Sequence, residues 1–256
     1  MTSRKRSRRA FIGKMLAGAS ATVLSGCDSL SRTSWFPKLL AAGEHANRGV
    51  QRAITSRRSM AQEFTEADLS PQFRSNGTAD PRDEVYQRLA ANGFRDWRLR
   101  IGGLVGKPVD LSLAQLRDMP ARTQITRHDC VEGWSAIGKW TGVPLANVLS
   151  LVQPAANARF VVFHCADPMD ESGTRYYESI DLEDANHAQT ILAYGLNDEA
   201  LPIKNGAPVR IRIERQLGYK MAKYIMRIEL VESFARIGGG KAGYWEDRGY
   251  EWYAGI

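Results

Sequence analysis

The densest polar cluster in the chain is Arg127-His128-Asp129-Cys130-Val131-Glu132-Gly133-Trp134-Ser135. Gln124-Ile125-Thr126-Arg127 reads as a strand, so Cys130 falls where a strand gives way to a loop. Such a position fixes a side chain and leaves it reachable. The neighbouring cations Arg127 and Lys139 favour thiolate over thiol. A thiolate is both a nucleophile and a soft metal ligand. The residue types alone leave both chemistries open beside a purely structural cysteine. Cysteine hydrolysis fits less well, because His128 sits two positions away on the same segment, whereas nucleophile and base normally come from separate elements. A cysteine-pair zinc site is excluded. There is no Cys-x-x-Cys, and beyond Cys27 only Cys130 and Cys165 remain.

Elements able to position this cluster are legible on both sides of it. Asp80-Pro81, followed by residues 83–89, predicts a capped short helix ending at Asn92-Gly93. Residues 97–101 alternate as a strand, with turns at Gly102-Gly103 and Gly106-Lys107-Pro108. Ser112 opens a helix with Leu113, Leu116 and Met119 on one face. Pro144 opens another, carrying Leu145, Val148, Leu149 and Val152. Residues 159–164 read as a buried strand, and 207–213 and 224–230 as further strands. Residues 166–186 read as a long acidic connection, seven acids against Arg175, with Tyr176 and Tyr177 at an entrance. Short strands interleaved with short helices, without βαβ spacing, predict a mixed α+β domain over 73–256. Residues 27–72 read as a linker or extension with few periodic apolar positions, wrapping the domain surface.

The chain has 256 residues, 43% hydrophobic and 25% charged, enough to bury a sizeable core and unlike a disordered tail or a disulfide scaffold. Its net charge of +7 is misleading, because residues 1–26 hold six basic side chains and no acid. The remainder is close to neutral, which gives no general reason to bind nucleic acid. A basic start, an apolar stretch from Phe11 to Leu24 and the small residues Ser25 and Gly26 have the layout of an export signal. Ser7-Arg8-Arg9-Ala10-Phe11-Ile12 resembles a twin-arginine signal, the route for proteins folded around a cofactor. Leu24-Ser25-Gly26-Cys27 resembles a lipobox. The expected compartment is the periplasm, with a lipid tether if Cys27 is modified.

Cys130-Val131-Glu132-Gly133-Trp134-Ser135, followed by Trp140-Thr141-Gly142-Val143-Pro144-Leu145, resembles the cofactor-cysteine segment of the sulfite oxidase family of molybdenum enzymes. The likeness is strongest to the bacterial branch of periplasmic protein-methionine-sulfoxide reductase catalytic subunits. Three more segments match in order: Phe73-Arg74-Ser75-Asn76-Gly77, Asn205-Gly206-Ala207-Pro208-Val209-Arg210 and Gly218-Tyr219-Lys220-Met221-Ala222-Lys223. Together they cover roughly residues 70–235 and imply a sulfite-oxidase-type molybdopterin-binding fold.

The resemblance implies a molybdenum–molybdopterin cofactor with Cys130 as the protein ligand to the metal. It places Ser75, Asn76, Gly77, Cys165, Asn205, Arg210, Met221, Ala222 and Lys223 around that cofactor. The residue types suit these places. Arg210 offers a bidentate donor fork, Lys223 a point charge for phosphate, and Asn205 a donor and acceptor for a heterocycle. The backbone N–H groups at Met221 and Ala222 are candidates for an anion-binding concavity. The activity implied is two-electron oxygen-atom transfer, reducing an S-oxide or N-oxide. No haem motif is present, so electrons come from another protein, by analogy a membrane cytochrome. The chain departs from the family at Cys165, where Asp or Thr is usual, and at Ser75 and Ser135, where sulfite oxidases carry Arg.

Each motif has a plainer reading when taken alone. Arg210 and Arg212 share a strand face and can be solvent-facing charges, Asn205-Gly206 can be a hairpin turn, and Trp134 and Trp140 can be core aromatics. Two alternatives follow for the whole chain: a sulfite dehydrogenase, or a cofactor-free binding or adaptor protein with a Cys130–Cys165 disulfide.

Overall fold

A computed structural model describes residues 30–256; the stretch read as an export signal and Cys27 lie outside the described residues. The chain divides into two compact units, one ending at Ile54 and one spanning Thr55–Ile256. The first contains α1 (Phe36–Ile54), so the stretch read as linker includes a 19-residue helix. Its apolar residues recur at helical rather than strand spacing, but Gly43 and Gly49 dilute the signal.

The second unit carries two five-stranded sheets. In the first, β2 (Val109–Ser112), β1 (Arg98–Gly103), β10 (Ile225–Val231), β5 (Phe160–Pro168) and β6 (Arg175–Asp181) lie in that order. Only β1 and β10 run parallel; the other pairings are antiparallel. In the second sheet, β3 (Arg122–Cys130), β4 (Trp134–Pro144), β7 (Ile191–Leu196) and β8 (Glu199–Ala200) follow one another, and β9 (Arg210–Arg212) pairs with β7. The mixed α+β class stands. The main core draws on both sheets and on α4 (Leu145–Val152), whose buried Leu145, Val148, Leu149 and Val152 form one stripe. Strand β5 is buried on both faces, as its unbroken apolar run requires.

Short helices begin where the sequence provides caps. The Asp83 carboxylate accepts from the Tyr86 N–H at 2.9 Å and starts α2 (Glu84–Ala91), which stops at Asn92 before Gly93 (φ 66°). Ser112 and Gln115 form a capping box on α3 (Leu113–Asp118). Residues 59–70 run along the second sheet. Phe64 donates to the Ile125 carbonyl at 2.8 Å, and Glu63 bridges Thr126 on edge strand β3, which is thereby covered.

The acidic connection is a correction. Residues 166–186 comprise the end of β5, a tip at 169–174, strand β6 and the one-turn helix α5 (Leu182–Ala185). Its charges do not all face water. Glu178, Asp167 and Asp184 are buried, and two of the three are answered by cations: Lys220 bonds Glu178, and Arg215 bonds Asp184. Sequence charge resembled a solvated loop because those partners lie more than thirty residues away.

Candidate active site

Cys130 ends β3, opposite Trp134 on β4, with a tight turn between them in which Gly133 adopts φ 83°. The thiol is half-buried and lines a cleft of about 200 Å³. Asn76, Gly77, Lys223, Met221 and Asp167 share that cleft. Gly218, Tyr219, Trp245 and Tyr250 close it with aromatic surface. Three of the four distant segments named from the sequence therefore line one cleft, and the 205–210 segment lies behind it, joined through the bond from Arg210 to the Met221 carbonyl.

The cations expected near the thiol are a second correction. Arg127 binds Asp129 at 3.0 Å, and Lys139 binds Glu66 at 2.7 Å and Asp198 at 2.9 Å. Burial raises the Cys130 pKa, and Glu132 adds to this. The Glu132 backbone N–H, Arg74 and Arg210 act in the opposite direction. Arg74 stacks over Trp134, its guanidinium carbon 5.4 Å from the ring centroid.

Arg210 and Arg212 are both fully buried, so the solvent-facing reading is overturned. Each stacks on Trp140, at 5.1 Å and 4.5 Å. Their partners differ in kind. Arg212 forms a two-point pair with Glu214, at 2.9 Å and 2.6 Å. Arg210 donates to the carbonyls of Asn205 at 3.0 Å and Met221 at 3.2 Å, and its Nε has no partner. Burial, then Arg212, bring the Arg210 pKa down to about 9.

Lys223 repeats this pattern. Its ammonium donates to the carbonyls of Asn76 at 2.6 Å, Thr78 at 2.5 Å and Lys204 at 3.2 Å, and to the Ser75 hydroxyl at 3.4 Å. It thus joins the 75–78 loop to the 203–205 turn. Burial, then Arg210, lower its pKa to about 7. Asn205 belongs to a 3-10 turn with Gly206 at φ 115°, rather than to a hairpin, and its Nδ2 is buried without a partner, as is Asn76 Oδ1.

Other expected contacts change. The Met221 N–H donates to the Gly218 carbonyl at 3.0 Å inside a 3-10 turn, so it is not a free anion donor. Met221 lines the cleft with its side chain instead. Ala222 is buried in the core and its carbonyl accepts from Ile211. Cys165 is also a core residue and borders a second cleft with His164 and Tyr177, not the first. Cys130 and Cys165 are both free thiols on strands of different sheets, so the disulfide alternative has no bond behind it.

His128 was named only as part of the polar cluster. Its Nδ1 lies 2.8 Å from Arg212 Nη1, which can only donate, so Nδ1 accepts and Nε2 carries the proton. That Nε2 is buried without a partner, and a Cβ on Gly218 would lie 2.4 Å from it. Burial, then Arg212 and Arg210, hold His128 well below the usual histidine range, so the ring is neutral. The signal for this role was its spacing, two residues before Cys130 on one strand face.

The donor set suits an anionic, hydrogen-bonding cofactor. Arg210 and Lys223 are buried cations without carboxylate partners at hydrogen-bond distance, and Asn76 and Asn205 present unpartnered polar atoms. A bound phosphate and a heterocycle would complete these groups. One reachable cysteine sulfur, a thiolate once bound to the metal, suits a soft metal.

Comparison with known proteins agrees. The family model described as oxidoreductase molybdopterin binding domain matches residues 87–236. A chain of Azospira oryzae, "Putative protein-methionine-sulfoxide reductase subunit YedZ1", is 36% identical over 249 residues, 97% of this chain and 88% of its own. The protein-methionine-sulfoxide reductase catalytic subunit MsrP of Xanthomonas axonopodis pv. citri is 39% identical over 145 residues, 53% of this chain and 45% of its own. This chain thus spans less than half of that relative. The sulfane dehydrogenase SoxCD of Paracoccus pantotrophus is 23% identical, with a TM-score of 0.49 over 54% of this chain and 39% of its own. The chain belongs to the oxidoreductase molybdopterin-binding family, the sulfite oxidase family, and is an enzyme of the molybdenum–molybdopterin cofactor.

Proposed function

We propose that this enzyme reduces an S-oxide, with methionine sulfoxide the first candidate and N-oxides the second, after export to the periplasm. The balance is R₂S=O plus two electrons and two protons to R₂S and water. The cofactor, when bound, supplies an oxygen-accepting metal that cycles by two electrons. Cys130 would ligate that metal, and Arg210, Lys223, Asn76, Asn205, Ser75 and Gly77 would hold the pterin and its phosphate. Electrons would come from a membrane cytochrome. The relatives' names as methionine-sulfoxide reductase subunits support the substrate class.

The observation that carries the reading is the chemistry of the cleft wall. Met169, Tyr176, Tyr219, Trp245 and Tyr250 offer apolar and aromatic surface, and the lining charges are Glu132, Asp167 and Lys223. A neutral S-oxide with an alkyl arm fits such a wall. A sulfite dianion would face two acids, which places sulfite dehydrogenase second. Asp167 borders the cleft, and burial raises its pKa to about 6, where a proton can be exchanged.

Molybdenum and pterin content of enzyme made with the cofactor pathway intact tests the cofactor assignment; Cys130→Ala should abolish turnover and retain the fold. Parallel assays with methionine sulfoxide and with sulfite rank the substrates. Turnover of sulfite alone would overturn the S-oxide reading.

A further inference from the structure

Helix α1 is amphipathic in the wrong sense for a packed helix. Phe36, Leu39, Leu40, Gly43, Ala46, Val50, Ala53 and Ile54 lie on one side at 100° per residue, interrupted there by Asn47. Its large aliphatic residues are exposed: Leu39 is 57%, Leu40 59%, Val50 58% and Ile54 78% accessible, while Phe36 is half-buried. Arg48 and Arg52, on the opposite side, are half-buried. Trp35, 54% exposed, packs edge-on against Phe36 at the helix start, with ring centroids 5.6 Å apart. The helix is too polar to cross a membrane; no described helix is long and apolar enough to do so.

Charge selects the occupant of this face. Residues 30–58 carry six basic side chains (Arg32, Lys38, Arg48, Arg52, Arg57 and Arg58) and one acid, Glu44, a balance of +5. Residues 59–256 carry 23 basic and 26 acidic side chains, a balance of −3. An anionic surface therefore attracts the segment around α1 and repels the catalytic unit. A second copy of the chain would bring +5 against +5. An exposed apolar stripe flanked by basic residues, with a tryptophan at one end, has the composition of a helix lying in a membrane interface.

We infer that α1 lies flat on an anionic phospholipid surface, its Leu39/Leu40/Val50/Ile54 face among the acyl chains and the net positive charge of residues 30–58 drawing it there. This is independent of the cofactor assignment. It also does not require lipidation. If Cys27 is lipidated, however, the nine residues from Cys27 to Phe36 span at most about 30 Å, which keeps the helix within reach of that surface.

Hydrogen exchange of the full chain, resolved to the segment 36–54, tests this with vesicles of phosphatidylcholine alone and with added phosphatidylglycerol. An isolated helix of this length frays, so burial of one face shows directly as slower exchange. The expected result is at least ~10-fold slowing over 36–54 with anionic vesicles, lost in high salt and in Leu40→Glu/Val50→Glu. Those substitutions should leave turnover unchanged, since neither residue borders the cleft. Unchanged exchange with anionic vesicles overturns the inference. So does vesicle-independent protection that grows with protein concentration, which would assign the face to a second copy.

Discussion

Asp167 tests how the cleft holds charge. Its carboxyl is 4% exposed and Oδ1 has no partner. Burial pushes its pKa from 3.8 up to about 6, against the opposing pull of its own backbone N–H and of Lys223. A raised carboxylate pKa is stability present below the unfolded value and lost as pH rises through the folded one. The window therefore runs from about pH 4 to about pH 6, and the displacement from 3.8 to about 6 corresponds to about 3 kcal/mol. Lys223 has the opposite sign. Its pKa falls from 10.5 to about 7, so the folded state binds fewer protons, and stability lost at low pH returns above about 7. The cofactor-free protein should be weakest at about pH 6–7, between the two windows. Asp167→Asn removes the first window. In urea unfolding of cofactor-free protein, the parent should fall relative to the variant by up to about 3 kcal/mol between pH 4 and pH 7. The gain at pH 7 should be smaller than that, because Lys223 loses a nearby negative charge. Parallel pH profiles for parent and variant would refute the reasoning.

Lys220 is fully buried between Glu178 and Glu246, at 2.5 Å and 2.6 Å; Lys220→Met should cost about 3–5 kcal/mol in thermal or urea unfolding, and adding Glu178→Gln and Glu246→Gln should recover part of it. Gly218→Ala should displace the His128 ring and cost about 1–3 kcal/mol, whereas Gly102→Ala, where a Cβ meets nothing within 4 Å, should be tolerated in the same unfolding assay. His128 should stay neutral from pH 6 to pH 8 with its proton on Nε2, read from imidazole nitrogen shifts; titration within that range would contradict its bond to Arg212.

The legible parts were those written in local chemistry. The cap at Ser112, the stripe of α4 and the apolar run of β5 each state their element within a few residues, and the structure has them there; the helix expected after Asp80-Pro81 forms too, but its cap is Asp83, three residues on. Strand β4 was not read, because its alternation is broken by Gly138 and Gly142. Those glycines are needed because a Cβ at 142 would lie 2.3 Å from the Leu192 carbonyl oxygen, and one at 138 would lie 2.9 Å from the Phe73 ring. Cys130, Asn76, Lys223 and Arg210 were found as motifs, yet nothing local says whether Arg210 faces water or core. That depends on Trp140, seventy residues away. The same holds for Glu178, whose partner Lys220 is 42 residues distant. The Met221 amide was misread because a contiguous motif does not reveal which N–H groups its own turn already uses.

The buried cations sort by what answers them, and the sorting separates scaffold from site. Arg212 has the Glu214 carboxylate and Lys220 has two carboxylates, so their charges are neutralised within the fold and their removal should act on stability. Arg210 and Lys223 are held by carbonyl oxygens and one hydroxyl, which orient a cation without cancelling it. Both sit among like charges, and both have depressed pKa values for that reason and for burial. Their hydrogen bonds tie loops together, but nothing among these partners cancels their charge. An anion bound between them would raise both pKa values and return the stability that their burial costs. Cofactor loading should therefore raise the melting temperature most at and below about pH 7, where Lys223 is charged, and less as pH rises above it, and Lys223→Met should weaken that gain.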